Sequence, residues 1–420
     1  MLSNSTMGSV GIKYLGCNIP CYYSSKSRVP RLKPAKAKPQ AAKASFAKAA
    51  LCNNQLNATA VKTPETEESK NQPRNLCQQF TTICKILNSI SKRYSGTGKK
   101  ISVIGIDDIG AATVFSLLNQ KITDNICMID LDEDLLTSEL LDLKMGALYH
   151  NNANIVASKD PAATEGSKIC IIFTGTYRGN QEDPSIYVGR SIGIVRSIIE
   201  PVIKYSPDVI FILASDPVDI LSYATWKLSG LPKNRIIGTG TLLDTARFRC
   251  ALSQRMGISP LDCHGYIIGE PGKKGVPVWS SVNIAGVPLK GINPNVGTGA
   301  DGEHWSDLFH ETVKTEHKVR SLKGYNSWAG ALAITNLCQA IVNNLRTVMP
   351  VSTYIKGEHT IMEDVFLSLP CVIGDSGVTD IIRQTLSDNE LIQLRESARH
   401  IADLQNSARI LEQFTTVVSS

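Results

Sequence analysis

The feature that most constrains this chain is an alternation of short apolar runs with longer amphipathic ones, beginning at Lys99. Ile101–Ile106 (ISVIGI) suits a buried strand and is followed by a glycine turn and the apolar-periodic AATVFSLLNQ. Ile126–Asp130 reads as a second strand and Glu133–Leu148 as a helix. Strand-like runs recur at Ile155–Ser158, Ile169–Thr174, Val209–Ser215 and Arg235–Thr241, with helical stretches at Ser185–Tyr205 and Asp219–Leu228 between them. Continuous apolar strands separated by helices are the pattern of a parallel sheet covered on both faces. The expectation is therefore a doubly wound α/β domain over 99–242. After Thr241 come a helix, mixed strands and two long helical stretches near Trp305–Lys323 and Ser327–Thr347, which read as a second, α+β domain over 243–420.

The first 98 residues break this pattern. Met1–Ala50 holds no Asp or Glu but nine Lys or Arg, and Lys33–Ala50 (KPAKAKPQAAKASFAKAA) is low-complexity without an apolar face. Dense like charge and proline oppose packing, so 1–98 is read as a basic, disordered or conditionally structured tail. It would serve as a solvated tether or as an arm docking on an acidic protein partner such as a filament surface. A mitochondrial presequence is the rival reading, disfavoured because Arg is scarce before residue 28 and no amphipathic helix opens the chain. The net charge of +6 is modest and unevenly placed, and the sequence after Ala50 is close to neutral, so it needs no nucleic-acid or membrane explanation. The chain holds no run of about eighteen apolar residues. Eleven cysteines without regular spacing argue against a disulfide framework and for a reducing compartment, hence a cytoplasmic expectation. Cys17 and Cys21 form an unmatched CxxxC, too little for a metal site.

The first strand-turn-helix is where a dinucleotide-binding Rossmann domain carries GxGxxG, and here it reads Gly105-Ile106-Asp107-Asp108-Ile109-Gly110. Gly105 and Gly110 serve the tight turn and the close helix–strand approach, while Asp107 replaces the glycine that admits a pyrophosphate. Asp130 closes the second strand, where an acid would bind the ribose hydroxyls of NAD. Two readings stand. Either the loop relaxes and NAD binds weakly, or Asp107 or Asp108 occupies the helix N-terminus itself, a carboxylate in the place of a phosphate; the second is preferred.

Several longer segments then point to a family. Ser215–Arg249 (SDPVDILSYATWKLSGLPKNRIIGTGTLLDTARFR), Val276–Lys290, Lys323–Ala333 (KGYNSWAGALA), Pro350–Gly357 (PVSTYIKG) and Glu363–Val378 closely resemble vertebrate L-lactate dehydrogenase of the A-like type. The resemblance runs almost without gaps from about Lys99 to Leu411. Malate dehydrogenases share the architecture, but the wording of these segments favours the lactate branch. It implies a homo-oligomer, usually a tetramer, supported by intact segments outside the pocket such as Pro350–Gly357, read as helical. It also implies hydride transfer to NAD, with a His as acid/base, an Asp orienting it, one Arg clamping the substrate carboxylate and a second Arg polarising the carbonyl.

Position by position, the resemblance places the orienting Asp on Asp244 and the clamping Arg on Arg247. The His position is Pro271, in GEPGKKGVP, and proline has no proton to exchange. The polarising Arg falls on Pro184, a cofactor-side Arg on Tyr177, the pocket Asn on Asp216 and the pocket Thr on Asn326. Asp216 would oppose an anionic substrate. Lys273 and Lys274 are read as solvated loop lysines rather than substitute acids, and His264 as a core or interface residue. Arg247 has two readings, residual anion binding or internal pairing with Asp244 or Asp216. The sequence thus suggests a lactate dehydrogenase fold kept as a scaffold, a pseudoenzyme with NAD binding weakened or lost. The alternative is an active 2-hydroxy-acid dehydrogenase of altered specificity.

Overall fold

The computed structural model describes residues 99–150, 153–175 and 182–407. The tail, Cys17, Cys21 and Tyr177 lie outside them. The described residues fall within one compact unit.

The first half alternates strand and helix as the apolar pattern requires. Its elements are β1 (Ile101–Ile104), α1 (Asp108–Asn119), β2 (Asn125–Ile129), α2 (Glu133–Met145), β3 (Asn154–Ser158), β4 (Ile169–Ile172), α3 (Pro184–Tyr205), β5 (Ile210–Leu213), α4 (Val218–Ser229) and β6 (Ile236–Gly238). The six strands pair in parallel in the order 3-2-1-4-5-6, with Val103 of β1 opposite Met128 on one side and Ile171 on the other. Every residue of β1, β4 and β5 is buried, as expected of strands covered on both faces. The chain reverses direction across the sheet between β1 and β4, and the carboxyl ends of the strands there form the natural crevice for a ligand.

The second half adds α5 (Leu242–Met256), β7 (Cys263–His264), β8 (Ile267–Gly269), β9 (Gly275–Pro277), β10 (Asn283–Ile284), β11 (Val287–Pro288), α6 (Asp307–Lys323), α7 (Trp328–Val342), β12 (Thr347–Tyr354), β13 (Phe366–Gly374), β14 (Gly377–Ile381) and α8 (Asp388–Ser407). Rather than standing apart, β12 joins β6 at Ser352–Gly238, and β13, β14, β8 and β9 extend the same sheet to eleven strands. A smaller three-stranded sheet, β11-β10-β7, encloses a second core around Phe248, Trp279, Trp305 and Phe309. Helix α7 packs on α1, with Gly330 facing Ile109 so closely that a methyl group there would meet the isoleucine side chain at 2.7 Å.

Two sequence expectations are corrected. Pro350–Gly357 is not helical: Thr347–Tyr354 is a strand whose middle is wholly buried against β13, and α7 ends at Val342. A fully buried apolar run has no face for periodicity to reveal, and length alone does not separate helix from strand there. Of the two readings of His264, core or interface, the first is removed: it lies in a strand but is exposed, its two-residue strand turning that side chain outward.

Candidate functional site

The site is built from the glycine turn outward. Gly105 has φ of 88°, and a Cβ there would lie 2.2 Å from the Phe173 carbonyl oxygen. A Cβ on Gly110 would lie 2.1 Å from the Gly105 carbonyl oxygen. Both glycines are therefore required by backbone packing alone, whether or not a cofactor is bound. Asp107 caps α1 in extended backbone, its Oδ1 accepting from the Ile109 and Gly110 N–H groups at 3.2 and 3.0 Å. Those are the free donors of the helix N-terminus that a pyrophosphate would use. Burial raises the pKa of Asp107, opposed by these two hydrogen bonds and reinforced by Asp108 and Asp130. Asp130 is equally engaged: Oδ2 accepts from the Ile106 N–H at 2.7 Å and Oδ1 from the Asp132 N–H at 3.0 Å. Three donors of the turn, the N–H groups of Ile106, Ile109 and Gly110, are thus engaged by carboxylates of the chain itself, a poor fit to a dinucleotide phosphate at those positions.

A cleft of about 520 Å³ opens beside this turn, walled by the segments that follow β4, β5 and β6 and by α5, α6 and α7. It gathers Asp107, Asp216, Asp244, Arg247, Pro271 and Asn326, and it leaves Gly105, Gly110 and Asp130 behind the turn. Pro184 is not in the cleft; it is the first residue of α3, after Asp183, whose Oδ1 accepts from the Ser185 N–H at 2.8 Å. Proline suits that position because its φ is already helical and no N–H is needed there.

Around Pro271 the charged groups have been rewired. Asp244, on the first turn of α5, accepts from the Gly272 N–H at 2.9 Å, so the carboxylate holds the loop backbone instead of an imidazole. Arg247 stands one helical turn on, 3.3 Å from Asp244 Oδ1 and 3.1 Å from Glu316 Oε2. Its internal partners are therefore Asp244 and Glu316, and not Asp216, the other partner the sequence left open. The Asp216 side chain has no hydrogen bond or ion pair among the described residues, though Tyr187 Oη donates to its backbone oxygen at 2.8 Å.

Three further acids, besides Asp107, hold their protons more tightly than usual. Asp216 opens onto the water of the cleft, yet the enclosing protein, and then Glu316, raise its pKa against the opposing pull of Arg320. Burial raises Asp244 as well, opposed by the Gly272 N–H. Asp219 is more deeply enclosed, and burial pushes it well above the carboxylate range despite the bond from Ser352 Oγ at 2.5 Å.

Sequence reasoning missed Glu270, Glu316, Arg320 and His400. Glu316 and Arg320 lie four apart on α6 and reach the cleft together, a spacing visible in the sequence but unremarkable on a charged helix. Glu270 lines the cleft and bonds His400 Nδ1 of α8 through Oε2 at 2.9 Å, a contact across 130 residues that no local pattern announces. Lys273 and Lys274 are exposed and face a separate cavity on the far side of the loop. Among the described residues no group of three or more His, Cys, Asp or Glu is placed to hold a metal ion, and no helix is long and apolar enough to cross a membrane. Six described cysteines are free thiols.

A 3-2-1-4-5-6 parallel sheet, a glycine turn at its first strand and an Asp–Arg helix turn under the crevice together define the architecture of a dinucleotide-fold dehydrogenase. Residues 99–238 match the family model of the lactate/malate dehydrogenase NAD binding domain, and residues 241–409 that of its alpha/beta C-terminal domain. The chain is 45% identical to the L-lactate dehydrogenase A chain of Columba livia over 320 residues, 76% of this chain and 96% of that one. It is 44% identical to the L-lactate dehydrogenase of Petromyzon marinus, covering 75% of this chain and 94% of the relative. With the L-lactate dehydrogenase B chain of Anas platyrhynchos it shares 42% identity over 77% of its own length and 98% of the relative's. The chain belongs to the lactate/malate dehydrogenase family, as an L-lactate dehydrogenase-like member.

Proposed function

We propose that this family member is a pseudoenzyme, a lactate dehydrogenase fold serving as a scaffold or assembly component, with NAD binding weakened or lost. The observation that carries the reading is at Asp244: with Pro271 in the acid/base position, the carboxylate that would orient an imidazole is spent on the Gly272 N–H. Proline offers no proton, and a positioned acid/base contributes on the order of 10²–10⁴-fold in rate. Two further carboxylates support it. Glu316 sits on Arg247, where the resemblance would put a substrate carboxylate, and Asp107 sits on the helix N-terminus, where it would put a phosphate. Both anion sites of the ancestral chemistry are met by side chains of the chain itself.

The test is steady-state assay of the full chain with NADH and pyruvate. The expected result is turnover far below the ordinary enzyme range of about 1–10³ s⁻¹; turnover within that range would overturn the proposal. One observation favours a second reading, an active dehydrogenase of altered chemistry: the Glu270–His400 pair brings an imidazole to the carboxylate beside Pro271. Saturable NADH binding with turnover abolished by His400→Ala would select it. We further propose a cytoplasmic homo-oligomer, tetrameric by resemblance, with the basic tail free to meet an acidic protein partner.

A further inference from the structure

The cleft no longer has the polarity that an anionic substrate needs. Among the described residues that line it, Asp107, Asp216, Asp244, Glu270 and Glu316, beside a protonated Asp219, stand against Arg247 and Arg320 alone. Arg247 is already neutralised, bonded at once to Asp244 and to Glu316. Asp216 remains, a carboxylate open to the cleft with no hydrogen-bond or ion-pair partner among the described residues.

A second observation, independent of charge, points to a missing ligand. Asn326 lines the same cleft, in the link between α6 and α7, and both its amide oxygen and its amide nitrogen are buried with no hydrogen-bond partner. Buried polar atoms are almost always paired, and those left unpaired in a native fold call for a partner that is not part of the chain. An unpaired acceptor oxygen and an unpaired carboxylate lining the same cleft ask for a group that donates more than one hydrogen bond and carries positive charge, while the Asn326 amide nitrogen asks for an acceptor besides. Ammonium and guanidinium are the groups with donors only. The rest of the wall includes Ile109, Phe173, Leu242 and Ile334, an apolar lining suited to a short aliphatic stem. A volume of about 520 Å³ is ample for such a molecule and lies within the usual span of small-ligand sites.

We propose that the cleft binds a small organic cation, an amine or guanidinium on a short apolar stem, held between the Asp216 carboxylate and the Asn326 amide oxygen. The inference rests on the reading that the anion chemistry of the family has been lost from this cleft. It assigns the retained pocket a ligand of opposite charge, which the Asp216 and Glu316 carboxylates select by repelling 2-oxo acids.

The experiment is isothermal titration calorimetry of the full chain with agmatine as the cationic probe and oxamate as the anionic one. Agmatine should bind saturably at millimolar concentration or below, oxamate at least tenfold more weakly. Asp216→Asn, an isosteric change, should weaken agmatine at least tenfold and narrow the preference over oxamate. If that variant does not fold by circular dichroism, Asn326→Ala carries the same test, with a several-fold loss expected. Absence of agmatine binding, binding unchanged in the variant, or tighter binding of oxamate would each overturn the proposal. The NADH and pyruvate assay reads the other conclusion separately. A chain inert to both substrates and to agmatine loses only the cation site, and one that turns over pyruvate loses the pseudoenzyme reading itself.

Discussion

Asp219 shows what one buried carboxyl does to the whole stability curve. It lies on the first turn of α4 at 2% exposure, and burial, opposed by the Ser352 hydroxyl and aided by Glu270 and Asp216, raises its pKa well above the ordinary value. The folded chain therefore keeps a proton that the unfolded chain releases once pH passes about 4. Between those two values the unfolded state binds fewer protons, so stability falls as pH rises. The contribution is full below the unfolded pKa and disappears as pH climbs through the folded one; Asp216 and Asp244, also raised, act with the same sign. Thermal melts should show Tm falling as pH rises above about 4, the unfolded carboxyl value, and Asp219→Asn, which fixes the neutral form, should flatten that slope. A slope unchanged in the variant would mean that Asp219 is ionised in the fold. Pro271 gives a second residue-scale expectation. Restoring the imidazole by Pro271→His should not restore turnover, because Arg247 still holds Glu316, and members of one catalytic unit do not act additively. NADH oxidation by the single variant at about 1 s⁻¹ or more would show the pocket to be otherwise competent. Pro271, Asp216 and Asn326, which all line the cleft, were legible because each stands where the resemblance expects another residue within a recognisable motif. Glu316 was not, since its meaning lies in the 3.1 Å contact with Arg247 across 69 residues.

Helix α1 decides the cofactor question at the scale of an element. Its N-terminus is capped by Asp107 through two backbone donors, and Asp108 adds a negative charge to its first turn. Cap replacement by Ala typically costs about 1 kcal/mol, by Gly only a few tenths. Asp107→Ala should therefore lower stability by about 1 kcal/mol in urea denaturation, and Asp107→Gly by less than half of that. If the cap is what excludes a dinucleotide, Asp107→Gly should also bind NADH at least tenfold more tightly than the parent chain in a fluorescence titration. Equal affinity would move the obstacle elsewhere, with Asp130 the next candidate because both its oxygens are bonded to backbone N–H groups. The elements themselves were largely readable. Strands β1, β4 and β5 announce themselves as largely apolar runs between helices, and α3 begins within one residue of its expected start because Asp183 and Pro184 are an N-cap followed by an N1 proline. β12 escapes such reading because its buried middle, PVST, carries no alternation, and its identity as a strand comes from pairing along its whole length with β13.

At the scale of the whole molecule, the sheet runs without interruption from the parallel strands into the second half, and the join is narrow. β6 meets β12 at a single pair, Gly238 and Ser352, and two residues later Gly240 turns the chain towards α5 with φ of 47°. A Cβ on Gly240 would lie 2.0 Å from Ser368 Oγ and 2.9 Å from the Ser352 N, between the two strands that carry the second half. Ser368 Oγ is itself the acceptor for the Thr241 N–H at 3.0 Å, so displacing it also leaves a buried donor unpaired. Gly257 is the natural control: it ends α5 with φ of 68°, and an added methyl there would meet nothing within 4 Å, so only backbone strain is introduced. Gly240→Ala adds overpacking of about 1–3 kcal/mol to that same strain, and an unsatisfied donor of about 1–3 kcal/mol. It should lower stability by several-fold more than Gly257→Ala in equilibrium urea unfolding. Because Trp226 belongs to the core of the large sheet and Trp305 to the second core, single-tryptophan versions can follow the two halves separately. A join made of shared strands predicts coincident transitions for both probes, moved together by Gly240→Ala. Two separated transitions, with only one shifted, would mean that the halves unfold independently in spite of the continuous sheet.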